Sequence, residues 1–126
     1  EIDIMEYRGS RPNSSSSAIH GPGYSGDTPF AHVEPRADRD YSSAFHVFAM
    51  EWDPSRIRFF VDGAQHYEAT RPMVEQKGRR VFDQPFWVIL NLAVGGHFDG
   101  DPASDTIFPA TMLVDWVRMY ERTDNR

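Results

Sequence analysis

The stretch Phe45-His46-Val47-Phe48-Ala49-Met50-Glu51-Trp52, Asp53-Pro54-Ser55, Arg56-Ile57-Arg58-Phe59-Phe60-Val61, Asp62-Gly63 decides the fold class. It reads as a strand, a turn, a second strand and a tight turn that leads into a third strand over Ala64 to Ala69. The rest of the chain continues in that manner. Nine glycines and nine prolines fall in turn-like clusters, and no segment keeps a helical period. A short strand is expected at Ala18 to His20 after a polar loop over Arg8 to Ser17, and another near Phe30 to Glu34. Residues 72–78 could make a short helical turn. Phe86 to Val94, apolar except for Asn91, reads as a buried strand, and Met112 to Tyr120 as the final one. Six to eight short antiparallel strands at this spacing imply an all-β sandwich or jelly roll.

The 126 residues bound the chain to a single domain over 1–126, and 40% hydrophobic content supports a modest core. A net charge of −6 argues against nucleic acid and anionic membranes as partners, whereas a neutral polysaccharide tolerates an acidic cleft. There are no cysteines to pair, and no apolar run approaches the ~18 residues of a membrane span. The five histidines, His20, His32, His46, His66 and His97, show no zinc-ligand spacing.

At the start of the chain, Glu1-Ile2-Asp3-Ile4-Met5-Glu6 places three carboxylates on a strand-like segment. Residues i and i+2 share a face of a strand, so Glu1 and Asp3 point one way and Glu6 the other. A β-bulge at Ile4-Met5 adds one residue to the count and returns Glu6 to the face of Glu1 and Asp3. Gathering like charges is costly, because each raises the pKa of the next. Such a gathering suits a retaining glycosidase, where two carboxyl groups about 5–5.5 Å apart serve as nucleophile and acid/base. The chain is read as starting within an element. It is expected to be the C-terminal part of a longer domain lacking N-terminal strands, poorly stable and inactive on its own.

Glu1 to Gly9, followed by Ile19-His20-Gly21-Pro22-Gly23-Tyr24-Ser25-Gly26, resembles glycoside hydrolase family 16, and within it the laminarinases, endo-acting β-1,3-glucanases. The hairpin Phe45 to Gly63, the segment Pro85 to Gly96 and the closing Leu113 to Tyr120 are similar to family segments in the same order. The resemblance implies a concanavalin-like jelly roll with a cleft across its concave sheet. It implies Glu1 as nucleophile, Glu6 as general acid/base and Asp3 as the helper between them. Glu1 must be ionised to attack, and Glu6 must begin protonated to assist the leaving oxygen. Lichenases and xyloglucan enzymes of the family carry the unbulged form, so Met5 argues against them. Agarases and carrageenases carry the bulged form, which leaves a galactan hydrolase as one alternative and a non-catalytic β-glucan-binding protein as another.

The resemblance implies further roles. His20 could hydrogen-bond the acid/base or a sugar hydroxyl, and Asn91 could line the cleft. Tyr24 and Phe98, in loops, are placed to stack on sugar rings, while at least two of Trp52, Trp87 and Trp116 are expected in the core. Where many laminarinases read Gly-Gly-Asn-Trp-Pro-Gly, this chain has Gly95-Gly96-His97-Phe98-Asp99-Gly100, which changes that subsite's contact. Asp115 matches a position where family members often bind a structural calcium, although one carboxylate cannot supply six to eight oxygen ligands. Catalysis needs no cofactor. The family also implies a secreted protein acting on polysaccharide, expected to be a monomer once the missing N-terminal part is present.

Overall fold

A computed structural model describes residues 1–26, 28–35, 38 and 40–123. The chain forms two compact units, Glu1–Val88 and Ile89–Arg126. The first contains β1 (Ile2–Tyr7), β2 (Ser14–Ile19), β3 (Phe30–Pro35), β4 (Phe48–Trp52), β5 (Arg56–Val61), β6 (Ala64–Thr70) and a single helical turn, α1 (Arg71–Glu75). All pairings are antiparallel, in two three-stranded sheets ordered β1-β2-β3 and β4-β5-β6.

The Asp62-Gly63 signal sets the second sheet. Both residues have positive φ, at 50° and 81°, so the turn closes in two residues and Val61 faces Ala64. Along β5 the side chains then alternate, with Ile57, Phe59 and Val61 buried and Arg56, Arg58 and Phe60 only partly covered. The outward arginines pair across strands, Arg58 with Glu51 and Arg56 with Glu68. At such exposure these pairs contribute about 0–1 kcal/mol each, so the inward apolar residues carry the sheet. β4 begins at Phe48 rather than Phe45, because the Asp62 carboxylate takes the Val47 amide (2.9 Å) and contacts His46 Nδ1 (2.9 Å).

Ile19, Tyr24, Ile57, Phe59, Ala69, Val74 and Phe82 form one core cluster joining the two sheets and the α1 segment. Complete burial of each large side chain contributes roughly 1.5–3 kcal/mol. Tyr24 is the notable member, 1% exposed although the sequence places it in a glycine-rich loop. Its ring meets Phe30 edge-on at 5.4 Å, and its hydroxyl donates to the Arg79 carbonyl at 2.9 Å. A Cβ on Gly21 would strike that ring, and a Cβ on Gly78 would lie 1.8 Å from the Pro22 carbonyl oxygen. The glycines therefore let the 21–24 turn close onto the end of α1.

Three sequence expectations need correction. The serine run forms β2 from Ser14 onward instead of a loop, because it is the central strand of its sheet. Ser15 and Ser17 are buried there with their hydroxyls donating to the carbonyls of Glu6 and Ile4. Phe86 to Val94 and Met112 to Tyr120 form no strands, and most of their apolar side chains are exposed. A strand requires a ladder partner, and no described strand pairs with either segment. For the same reason Trp87 and Trp116 are exposed rather than core. Trp52 is also partly exposed, donating its Nε1–H to the Phe82 carbonyl at 2.8 Å.

Gly78→Ala should lower stability by about 1–3 kcal/mol in chemical denaturation through the forced Pro22 contact. Gly9→Ala, with nothing within 4 Å of the added carbon, should leave the midpoint nearly unchanged. Equal effects of the two would contradict this packing.

Candidate active site

The expected bulge is present. In the β1–β2 pairing Asp3 faces Ala18 and Glu6 faces Ser16, so three steps along β1 match two along β2. Glu1 continues the ladder, accepting from the His20 amide at 3.0 Å while its own nitrogen donates to the His20 carbonyl at 3.1 Å. Glu1, Asp3 and Glu6 thus lie opposite His20, Ala18 and Ser16, which alternate along β2 and share one face. A bulge interrupts the ladder and leaves a backbone group to be satisfied. Here the Ser17 hydroxyl, on the opposite face of β2, donates to the Ile4 carbonyl at 2.8 Å.

Asp3 is the electrostatic centre of the face. Burial raises its carboxyl, the charges of Glu1 and Glu6 raise it further, and a hydrogen bond with Glu1 adds to them. His20 opposes these influences, and Asp3 is left with a pKa of about 6. It can therefore hold a proton into mildly acidic solution and share it with Glu1. His20 Nε2 lies 2.9 Å from Asp3 Oδ2. The imidazole contacts the middle acid, where the sequence had suggested the acid/base or a sugar hydroxyl. The Ser16 hydroxyl donates to Glu6 Oε2 at 3.2 Å, a contact hidden from the sequence because Ser16 was assigned to a loop. A shallow cleft beside Glu6 is lined by Arg8, Arg11, Ser14, Ser15, Ser16 and Val33.

The remaining candidates fare differently. Tyr24 is in the core and presents no face to a ligand, which corrects the stacking role. Asn91 and Phe98 belong to the second unit, both exposed, Asn91 outside any strand and Phe98 in a turn. Asp115 is exposed in the same unit. Among the described residues it joins no group of three carboxylate or imidazole donors, and one carboxylate alone does not make a calcium site. Two such groups exist elsewhere: Glu1, Asp3 and His20 on the acid face, and His32, Glu34 and His66.

The raised Asp3 pKa has a signed consequence. The folded protein keeps a proton that the unfolded chain, with its ordinary Asp value of 3.8, releases first. The Asp3 contribution to stability should therefore fall as pH rises from about 4 to about 6. Asp3→Asn should flatten that slope and gain on the order of 2 kcal/mol at pH 7 relative to wild type. Denaturation midpoints at pH 4, 5, 6 and 7 check this, and parallel slopes for the two proteins would overturn it.

A comparison with known proteins places this geometry. The model of glycosyl hydrolases family 16 matches residues 1–118. Among curated relatives, glucan endo-1,3-beta-glucosidase A1 of Niallia circulans is 38% identical over 137 residues, covering 96% of this chain and 19% of that protein. The beta-glucanase of Rhodothermus marinus is 38% identical over 130 residues, covering 95% of the chain and 44% of the relative. Among solved structures, the endo-beta-1,3-glucanase of Pyrococcus furiosus superposes with a TM-score of 0.81 at 43% identity, over 86% of this chain and 42% of that one. The chain thus spans less than half the length of these relatives, and the likeness bears out the all-β jelly-roll class. With nearly its whole length matched and its acids on a bulged strand, this chain belongs to glycosyl hydrolase family 16.

Proposed function

We propose that this chain supplies the catalytic strand of a retaining endo-glycosidase that hydrolyses β-1,3-glucan. The observation that carries the proposal is the β1 register, which sets Glu1, Asp3 and Glu6 on one face. The names of the relatives, glucan endo-1,3-beta-glucosidase and endo-beta-1,3-glucanase, favour the substrate.

In the proposed reaction Glu1 attacks the anomeric carbon while Glu6 gives its proton to the departing glycosidic oxygen. The carbon–oxygen bond breaks, and a glycosyl ester forms on Glu1. Glu6, now a carboxylate, takes a proton from water as that water attacks the same carbon. The ester bond breaks, and the configuration is retained after two inversions. Asp3 holds Glu1 through their hydrogen bond, and His20 holds Asp3 in turn. The Ser16 hydroxyl sets the orientation of Glu6. No step needs a metal. A calcium at Asp115 would require ligands beyond those described. The proposed enzyme is a secreted monomer whose partner is the polysaccharide alone. No helix among the described residues is long and apolar enough to cross a membrane.

One observation favours a second substrate class. Arg8 and Arg11 line the cleft beside Glu6, a basic border that an anionic galactan would use. Laminarin, mixed-linkage glucan, agarose and carrageenan, each incubated with the protein carrying these residues, separate the alternatives by reducing ends and product sizes. Short β-1,3-linked oligosaccharides from laminarin are expected. Glu1→Gln and Glu6→Gln should each lower kcat on laminarin by about 10²–10⁴-fold or more, with binding of the polysaccharide nearly kept. Binding without hydrolysis by the wild-type protein would favour a glucan-binding protein, and activity confined to carrageenan would move the substrate to the galactans.

A further inference from the structure

A second gathering of donors lies on the other face of the first sheet. His32 and Glu34 are two residues apart on β3, so they share a side. They pair with Ser17 and Ser15, whose side chains are buried on the face away from the three acids. His66 reaches the same place from β6. In the β5–β6 pairing Phe59 faces Tyr67 while Phe60 faces Gln65, which makes His66 the extra residue of a second bulge. A regular strand would send His66 and Tyr67 to opposite faces. Here both rings approach His32, at 5.5 and 5.6 Å, and both approach Phe59, at 6.5 and 5.6 Å. Bulges re-aim side chains in this way.

The result is a chelating geometry. One ligand atom from each of His32, Glu34 and His66 lies within 4.8 Å of the other two. His32 Nε2 stands 3.7 Å from Glu34 Oε2, too far for a hydrogen bond. Neighbouring ligands of a tetrahedral ion bound at about 2.0–2.2 Å lie roughly 3.3–3.6 Å apart, so small side-chain rotations complete the site. The tautomer of His66 also suits a metal. Its Nε2 lies 3.2 Å from Ser17 Oγ, whose own proton goes to the Ile4 carbonyl. The serine oxygen is left to accept, so Nε2 carries the hydrogen and Nδ1 keeps its lone pair. That Nδ1 is buried and has no hydrogen-bond partner. A histidine bound to a metal characteristically donates through its other ring nitrogen in this way.

We propose that His32, Glu34 and His66 form a binding site for a divalent transition metal of the zinc class, fastening β3 of one sheet to β6 of the other. Two imidazoles and one carboxylate favour such an ion over calcium or magnesium, which take oxygen ligands. Three protein ligands leave a fourth position for water. The site is separate from the proposed hydrolysis and does not depend on it.

Calorimetric titration of the metal-free protein with zinc chloride, with cobalt(II) absorption as a second readout, tests the assignment. One zinc per chain is expected, together with a rise in the thermal midpoint that EDTA reverses. His32→Gln and Glu34→Gln alter partly exposed side chains, and circular dichroism establishes that each variant is folded. Each should weaken zinc binding at least tenfold. His20→Gln, which removes a donor from the group on the acid face, should leave affinity within about twofold. Absence of zinc binding by the folded wild-type protein would overturn the proposal. So would affinity that survives both β3 substitutions, or that disappears with His20→Gln.

Discussion

The hydrogen bond from the Ser17 hydroxyl to the Ile4 carbonyl, at 2.8 Å, is the contact on which the acid face depends. A regular β1 would put Glu6 on the core side, where an ionised carboxylate is expensive. The extra residue at Ile4-Met5 removes that problem and creates another, a carbonyl taken out of the ladder. Ser17 is 1% exposed, so no water replaces its hydroxyl cheaply. Losing it removes the Ile4 carbonyl's side-chain partner, worth on the order of 1 kcal/mol. The placement of the catalytic candidates is therefore a core property as much as a surface one.

That contact also links the two sheets. Ser17 Oγ meets His66 Nε2, and His66 sits at the irregular position of β6. Each sheet thus carries one bulge, and a single serine touches both. Around it the first unit is arranged by simple alternation. Ile57, Phe59 and Val61 point inward from β5, and Ile19 of β2 joins Ile57 and Phe59 in the core cluster. The acids occupy the far side of β1, where desolvation and mutual charge push Asp3 to about 6. Asp3 contacts both Glu1 and His20, and with its pKa raised it can hold Glu1 in place without adding a further negative charge in mildly acidic solution.

Much of this was legible in the residues. Asp62-Gly63 and its flanking alternation specified β5 to the residue and β6 within one, because a two-residue turn leaves no freedom of register. The bulge at Ile4-Met5 followed from counting acids against a period of two. Other features depend on partners that local pattern does not carry. Serine is a poor indicator of a strand, and only its central position between β1 and β3 makes Ser14–Ile19 one. Tyr24 looked like a loop aromatic because the space that receives it is created by glycines on two separate segments. Phe86 to Val94 and Met112 to Tyr120 have strand composition but no described neighbour to pair with. His32 and His66 are too far apart in sequence for any ligand spacing, and only the alternation of His32 with Glu34 hinted at a shared face.

The central claim, that the bulged strand presents Glu1 as the nucleophile of a retaining hydrolase, is tested most directly by trapping. The protein is incubated with an activated 2-deoxy-2-fluoro β-1,3-linked glucoside and digested, and its peptides are sequenced by mass spectrometry. The account predicts a single glycosyl adduct on Glu1. An adduct on Asp3 or Glu6, or hydrolysis that proceeds with inversion and no adduct, would contradict it.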